Sequence, residues 1–286
     1  MKPLAPSKPA QKALRLVKGE HIRVVPLYHP KPQYSVEELT TARKEREQDK
    51  GDLFDGQPHP APLNAKLTYR KGPLIPNVEV FTVFWGKTWG AAASSTKLMN
   101  DLNAFFTAVL VSEAIDQLAE YNVPGQKIGH GKFTGTKVIT ANAPASSVTD
   151  STIQSQLKAW IAAGTVPKTT KNTLCFFYLE PGITSVMGGS SSCKSYCGYH
   201  NNVGKAYYAV MPYPGCDGCL STLSVFDALT GTSSHELCEA ITDPIPGSGW
   251  YDDKNGEIGD ICAWNFKKVA GYNVQLEWSN KQNKCV

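Results

Sequence analysis

The sequence predicts an α/β (α+β) fold, a mixed sheet with packed helices, and three observations carry that prediction. Short runs of β-branched and aromatic residues alternate along the chain with longer stretches of helical period. The apolar share, 41%, is that of an ordinary globular protein, and 286 residues permit one large domain or two small ones. No apolar run reaches membrane-spanning length; the longest, near Ala104–Val111, is interrupted by Thr107 and suits a buried helix.

The elements follow in order. Residues 1–65 are rich in Pro and Lys and carry a polar run at Glu37–Asp55, so they bury little of themselves; Val36–Lys50 could form one helix. This stretch reads as a basic extension, a removable pro-segment or a strap, ahead of a single α/β domain over 66–286. The texture changes at Leu67. Val78–Trp85 alternates in the manner of a strand. Ser94–Tyr121 is predicted helical, with Leu98, Leu102, Phe105, Phe106, Val109, Ile115 and Leu118 on one face. Lys132–Thr140 is a strand. Thr149 or Asp150 caps a helix whose stripe is Ile153, Leu157, Trp160 and Ile161, and Gly164 ends it. Leu174–Leu179 and Lys205–Met211 are strands, Leu220–Thr242 a helix, and Val274–Trp278 the last strand.

Charge is distributed unevenly. Residues 1–75 hold 14 Lys and Arg against 8 Asp and Glu, while the remainder holds 15 against 17. Acidic residues are interleaved with the basic ones and few aromatics accompany them, which argues for a solvated extension and against a nucleic-acid or membrane partner.

The chemistry concentrates at His235-Glu236-Leu237-Cys238-Glu239. In a helix, His235 and Glu239 stand one turn apart on one face, where an imidazole and a carboxylate can grip one metal ion. Glu236 stands where a zinc hydrolase keeps its general base, although the second histidine of His-Glu-x-x-His is replaced here by Glu239. The bland alternative is an amphipathic helix with Leu237 and Ile241 inward and a solvated acidic face. Ser233 and Ser234 are poor helix-interior residues and indicate a constrained segment. Asp243-Pro244 closes the helix. Downstream, Glu257 and Asp260 return toward it; Asp260 is the expected third ligand, with Glu257 as the alternate or as a supporting group. His200, placed by sequence in a loop, is a further candidate ligand. A helix carrying such ligands behind a sheet is, by analogy, the plan of zincin-type hydrolases.

All eight cysteines lie in the C-terminal half. Cys193, Cys197, Cys216, Cys219, Cys262 and Cys285 are expected to form disulfides in an oxidising compartment, the first four as local bridges within their two tight pairs and Cys262 with Cys285. The rival is a zinc ribbon on the first four. Cys175 and Cys238 read as buried thiols. The first thirty residues lack the apolar core of a secretory signal, so the cysteines point outside the cell while a cytoplasmic location stays open.

Several of these segments, in order, resemble the phosphate-induced, or EXORDIUM-like, family. They are Tyr69-Arg70-Lys71-Gly72-Pro73-Leu74, Phe84-Trp85-Gly86, Cys193 with Cys197-Gly198-Tyr199-His200, Cys216-x2-Cys219, Ser234-His235-Glu236-Leu237-x-Glu239, Trp250-Tyr251, Glu257-Ile258-Gly259-Asp260-Ile261-Cys262 and Cys285. The resemblance spans roughly 67–286 and implies a secreted or cell-wall-associated protein without assigning a reaction. The basic extension departs from it.

Together these readings lead to a metal-dependent hydrolase, a zinc metallopeptidase with Glu236 as general base and His235, Glu239 and Asp260 or Glu257 as ligands. One imidazole with two carboxylates is a hard set that also admits calcium or manganese. The expected partner is a peptide or protein substrate. The alternative is a non-catalytic secreted binding protein with a structural metal site, Trp250 and Tyr251 contacting carbohydrate or peptide.

Overall fold

The computed structural model describes residues 24–26, 62 and 64–286. Its centre is a six-stranded sheet built from β1 (Val24–Pro26), β2 (Glu79–Trp85), β3 (Lys132–Ile139), β4 (Thr173–Leu179), β5 (Tyr196–Val203) and β6 (Ala206–Met211). The strand order is β1-β5-β6-β4-β2-β3. β6, β4, β2 and β3 are parallel neighbours; β5 runs antiparallel to β6, and β1 antiparallel to β5. The sheet is therefore mixed, as the alternating elements predict. Every residue of β4 is buried, as a parallel strand covered on both faces requires.

Three long helices cover the sheet: α1 (Ala93–Val109), α2 (Asp150–Ala162) and α3 (Val225–Thr242). Strand alternation divides the core. Val80 and Phe84 join α1 and α3 on one face, while Phe81, Val83 and Trp85 meet Ile153, Leu157 and Trp160 of α2 on the other. Burying each large apolar side chain contributes about 1.5–3 kcal/mol. The helix expected over Ser94–Tyr121 breaks after Val109, and Ser112 caps a separate turn at Glu113–Asp116. The helix expected from Leu220 starts instead at Val225. Ser221 has a positive φ that ends a short helix at Asp217–Leu220, and the Ser224 side chain accepts from the Asp227 N–H to begin α3. The proposed Val36–Lys50 helix lies outside the described residues.

Three strands depart from the sequence reading. β1 lies within the stretch read as an extension ahead of the domain, and the strand expected at Val274–Trp278 is Tyr272–Gln275 with a separate short strand at Trp278–Ser279. Tyr196–Val203, taken as a loop around His200, is the second strand of the sheet. It escapes the apolar pattern because several of its buried positions carry His and Asn rather than Val or Ile. Toward the C-terminus a hairpin, β7 (Phe266–Val269) and β8 (Tyr272–Gln275), packs against α3. No single helix among the described residues is long and apolar enough to cross a membrane.

The six expected cysteines are paired, Cys262 with Cys285 as anticipated. The first four do not close local bridges within the tight pairs but connect across them, Cys193 to Cys216 and Cys197 to Cys219. The bridges lash β5 to the short helix preceding α3. This leaves no thiolate set for a zinc ribbon there, and Cys175 and Cys238 are buried thiols. Three disulfides accord with an oxidising environment. Trp250 and Tyr251 do not form an exposed aromatic platform: Tyr251 is buried, and Trp250 donates from Nε1 to the Tyr121 carbonyl while packing on Tyr69 and Tyr121.

Candidate metal centre

Helix α3 is buried all round from Ala228 to Thr242. A helix so enclosed is normally apolar, yet this one carries Ser233, Ser234, His235, Glu236 and Glu239 inside. The solvated acidic face of the bland reading is absent: Glu236 and Glu239 are both 0% exposed. The serines are accommodated by specific bonds. Ser233 Oγ lies 2.7 Å from the Tyr178 hydroxyl, and Ser234 Oγ donates to the Gly231 carbonyl and accepts from the Gln275 N–H.

His235 is held in one tautomer. Gln275 Nε2 donates to the Gly259 carbonyl at 3.0 Å, which turns its Oε1 toward His235 Nδ1, also at 3.0 Å. That oxygen can only accept, so Nδ1 carries the hydrogen and Nε2 faces inward. Nε2 meets Glu239 Oε1 at 2.9 Å and Asp260 Oδ1 at 3.9 Å. Asp260 is oriented by its Oδ2, which accepts from the Glu257 N–H, while its own N–H donates to Glu239 Oε1. The structure thus brings His235, Glu239 and Asp260 together with donor atoms within 4.8 Å of one another.

His200 approaches from β5, on the other side of Glu239. Its Nε2 donates to the Asp243 carbonyl at 3.1 Å, and its Nδ1 faces Glu236 Oε2 at 2.9 Å and Glu239 Oε2 at 3.5 Å. Glu257 Oε1 stands 3.5 Å from Nε2, on the far edge of the ring. Glu257 is therefore beside the cluster, behind His200. Asp243, which sequence treated only as a helix stop, uses its carboxylate to accept from the N–H groups of Gly247, Ser248 and Gly249.

The electrostatics are those of an overfilled acidic pocket. Burial and then the Glu239 charge raise Glu257 and Asp260 well above the usual carboxylate range, and burial raises Glu236. Burial alone would lower both histidines, but the surrounding carboxylates outweigh it: His200 is raised to about 10 and His235 well above its ordinary value. Burial likewise opposes ionisation of Glu239, yet the two imidazoles bring it down to about 2.

Six polar atoms of this cluster lack a hydrogen-bond partner: His235 Nε2, Glu236 Oε1, Glu239 Oε2, Asp260 Oδ1 and both oxygens of Glu257. His235 Nε2 and Glu239 Oε1 stand 2.9 Å apart. A proton or a cation must mediate between them. The donor set fits a divalent ion, with Gln275 supplying the supporting hydrogen bond that ligating histidines require. Sequence reasoning missed Gln275, Gly259 and Glu277, the last fully buried beside Cys238 of α3. Their signal was the alternation Asn273, Gln275, Glu277, polar residues at inward positions of a C-terminal strand and its continuation. No family model and no curated protein matches the chain, so the resemblance to phosphate-induced proteins rests on the motifs quoted above.

Proposed function

We propose that this protein is a metal-dependent hydrolase acting on peptide bonds, with zinc as the first candidate ion and manganese or calcium admitted by the hard donor set. The observation that supports it is the convergence of His235 Nε2, Glu239 and Asp260 Oδ1, buried and incompletely hydrogen-bonded, around one point. Those three residues would hold the ion. Bound there, it would lower the pKa of a coordinated water and polarise a substrate carbonyl. Glu236, next to His235 on α3, would take that water's proton and pass it to the leaving amine. Its Oε2 is occupied by His200, and its Oε1 has no partner, so Oε1 is the accepting atom. Burial raises its pKa, the direction that strengthens a base at neutral pH. His200 keeps that carboxylate oriented.

A second reading is favoured by the closure of the site. The side chains of His200, His235, Glu236, Glu239 and Asp260 are 0–2% exposed, whereas a catalytic ion keeps an open position. In this reading the ion is structural and the protein binds without turning over. One experiment separates the two. Full-length protein restored with zinc is assayed on a broad peptide library beside Glu236→Gln. The hydrolase reading expects Glu236→Gln to fold, to retain the zinc held by His235, Glu239 and Asp260, and to lose about 10²–10⁴-fold in turnover. Cleavage retained by the variant overturns the role of Glu236. Zinc bound without cleavage by the wild type favours the structural ion.

A further inference from the structure

Resting on the reading of His235, Glu239 and Asp260 as a metal centre, we infer that the chain holds a second divalent cation between His200 Nδ1, Glu236 Oε2 and Glu239 Oε2, with Glu239 bridging the two ions. The geometry divides Glu239 evenly. Its Oε1 faces His235 Nε2 at 2.9 Å, and its Oε2 faces His200 Nδ1 at 3.5 Å. Each imidazole is anchored on its outer nitrogen by an atom that can only accept, the Gln275 amide oxygen for His235 and the Asp243 carbonyl for His200. Each therefore turns its other nitrogen toward Glu239, and from opposite sides. Such anchoring is the supporting contact of a metal-ligating histidine. Here it occurs twice, in mirror fashion, about one carboxylate.

The second triad satisfies the same proximity as the first: one donor atom each from His200, Glu236 and Glu239 lies within 4.8 Å of the others. Glu239 Oε2 and Glu236 Oε1 are buried without hydrogen-bond partners. Both triads offer one nitrogen and two carboxylate oxygens, so they are of equal hardness and admit the same ions. Carboxylate-bridged pairs of this kind hold their ions about 3.5–4 Å apart.

Charge points the same way. The side chains of Glu236 and Glu239 are fully buried, and among the described residues their ion pairs are with the two imidazoles, not with Lys or Arg. A cation between them and His200 gives both carboxylates a full counter-charge. An uncompensated buried charge is strongly destabilising. Glu236 then serves through both oxygens, Oε2 on the second ion and Oε1 toward the water.

The test is stoichiometry. Full-length, disulfide-intact protein is stripped with chelator and dialysed against Zn²⁺ or Mn²⁺, and the ion is counted per chain by mass spectrometry. The expected count is two, with His200→Ala and Glu236→Gln each falling to one, and Asp260→Asn also falling to one. The two-Mn²⁺ protein should show a spin-coupled resonance, replaced in Glu236→Gln by the six-line spectrum of an isolated ion. If His200→Ala fails to fold, Glu236→Gln, which keeps shape and volume, carries the test. A wild-type count of one overturns the second site and leaves the first. A count of zero overturns both. A count of two unchanged in His200→Ala and Glu236→Gln places the second ion elsewhere and overturns the assignment.

Discussion

Gly259→Ala should disable the metal centre without replacing any of its ligands. Gly259 has φ −78° and ψ −38°, an ordinary helical conformation that alanine adopts freely, so the change introduces no backbone strain. It introduces a collision instead. A Cβ built there falls 2.8 Å from His235 Nδ1, 2.9 Å from its Cγ and 3.0 Å from Glu239 Oε1. Comfortable carbon contacts begin near about 3.5 Å, so the imidazole must retreat by roughly half an ångström, which disturbs its bond to Gln275, whose amide is itself held by the Gly259 carbonyl. Overpacking of this size costs about 1–3 kcal/mol, partly offset by about 0.4–1 kcal/mol from the stiffer unfolded chain. For a domain of this size that is a fall in Tm of about 2–8 °C. The effect on the ion should be sharper. Ligand distances tolerate about 0.2 Å, and disturbing the supports of a ligand typically costs about 10–100-fold in affinity. Chelator competition and melting curves of stripped and zinc-loaded protein measure both. Gly215→Ala is the control, because its added Cβ meets nothing closer than 4.0 Å. A Gly259→Ala protein with the affinity and Tm of the wild type would refute the placement of His235 against this turn.

The same geometry makes two more expectations. In metal-stripped protein His200, raised to about 10, and the raised Glu257 and Asp260 all hold more protons folded than unfolded, so stability is fullest at mildly acid pH and falls as pH rises through their folded values. Glu239 opposes this only below its unfolded pKa of about 4.3, as pH falls toward about 2. Bound metal displaces those protons, so its stabilisation should grow with pH between about 5 and 8; melting curves with and without zinc that stay parallel across that range would contradict the protonated apo centre. Replacing Cys262 and Cys285 together by Ala removes a bridge of sequence separation 23, worth about 3 kcal/mol by loop closure. A Tm lowered by about 6–12 °C is expected from calorimetry, with weaker zinc binding because Cys262 follows Asp260 by two positions; an unchanged Tm would mean the C-terminal clamp contributes nothing.

How much of this was legible in the sequence depended on whether a signal was local. The pairing of His235 with Glu239 follows from helical spacing alone, and Asp260 from an acidic stretch with few places to go. The strands rich in Val, Phe and Tyr declare themselves for the same reason. β5 does not, since polar residues stand where a strand usually shows apolar ones: His200 faces the cluster, while Asn201 on the other face donates to Asp150 and Asn202 to the Gly204 carbonyl. Cysteine connectivity was illegible because it depends on how β5 lies against the helix at Asp217–Leu220, a register no spacing encodes. Gln275 and Glu277 reach α3 across the hairpin, from 40 positions away in the case of His235 and Gln275, and nothing short-range connects them.

The strongest argument that this cluster is built for an ion comes from what it costs without one. A buried polar atom left without a partner destabilises by about 1–3 kcal/mol, more when charged. The pocket around His235 holds six such atoms. Well-packed apolar residues of similar volume are commonly neutral or better in place of buried ionic groups, so stability alone gives no reason to keep Glu236, Glu239, Glu257 and Asp260 inside. Nor does conformational specificity, because α3 is already fixed by its apolar contacts with α1, β6 and the hairpin and by the disulfides on either side. Protons can neutralise the pocket, as the raised values of Glu257 and Asp260 indicate, but they satisfy one lone pair each. A divalent ion engages three at once and turns the least favourable part of the core into a favourable one. Whether its closed surroundings then open to a substrate is a separate property, and metal content and turnover measure the two independently.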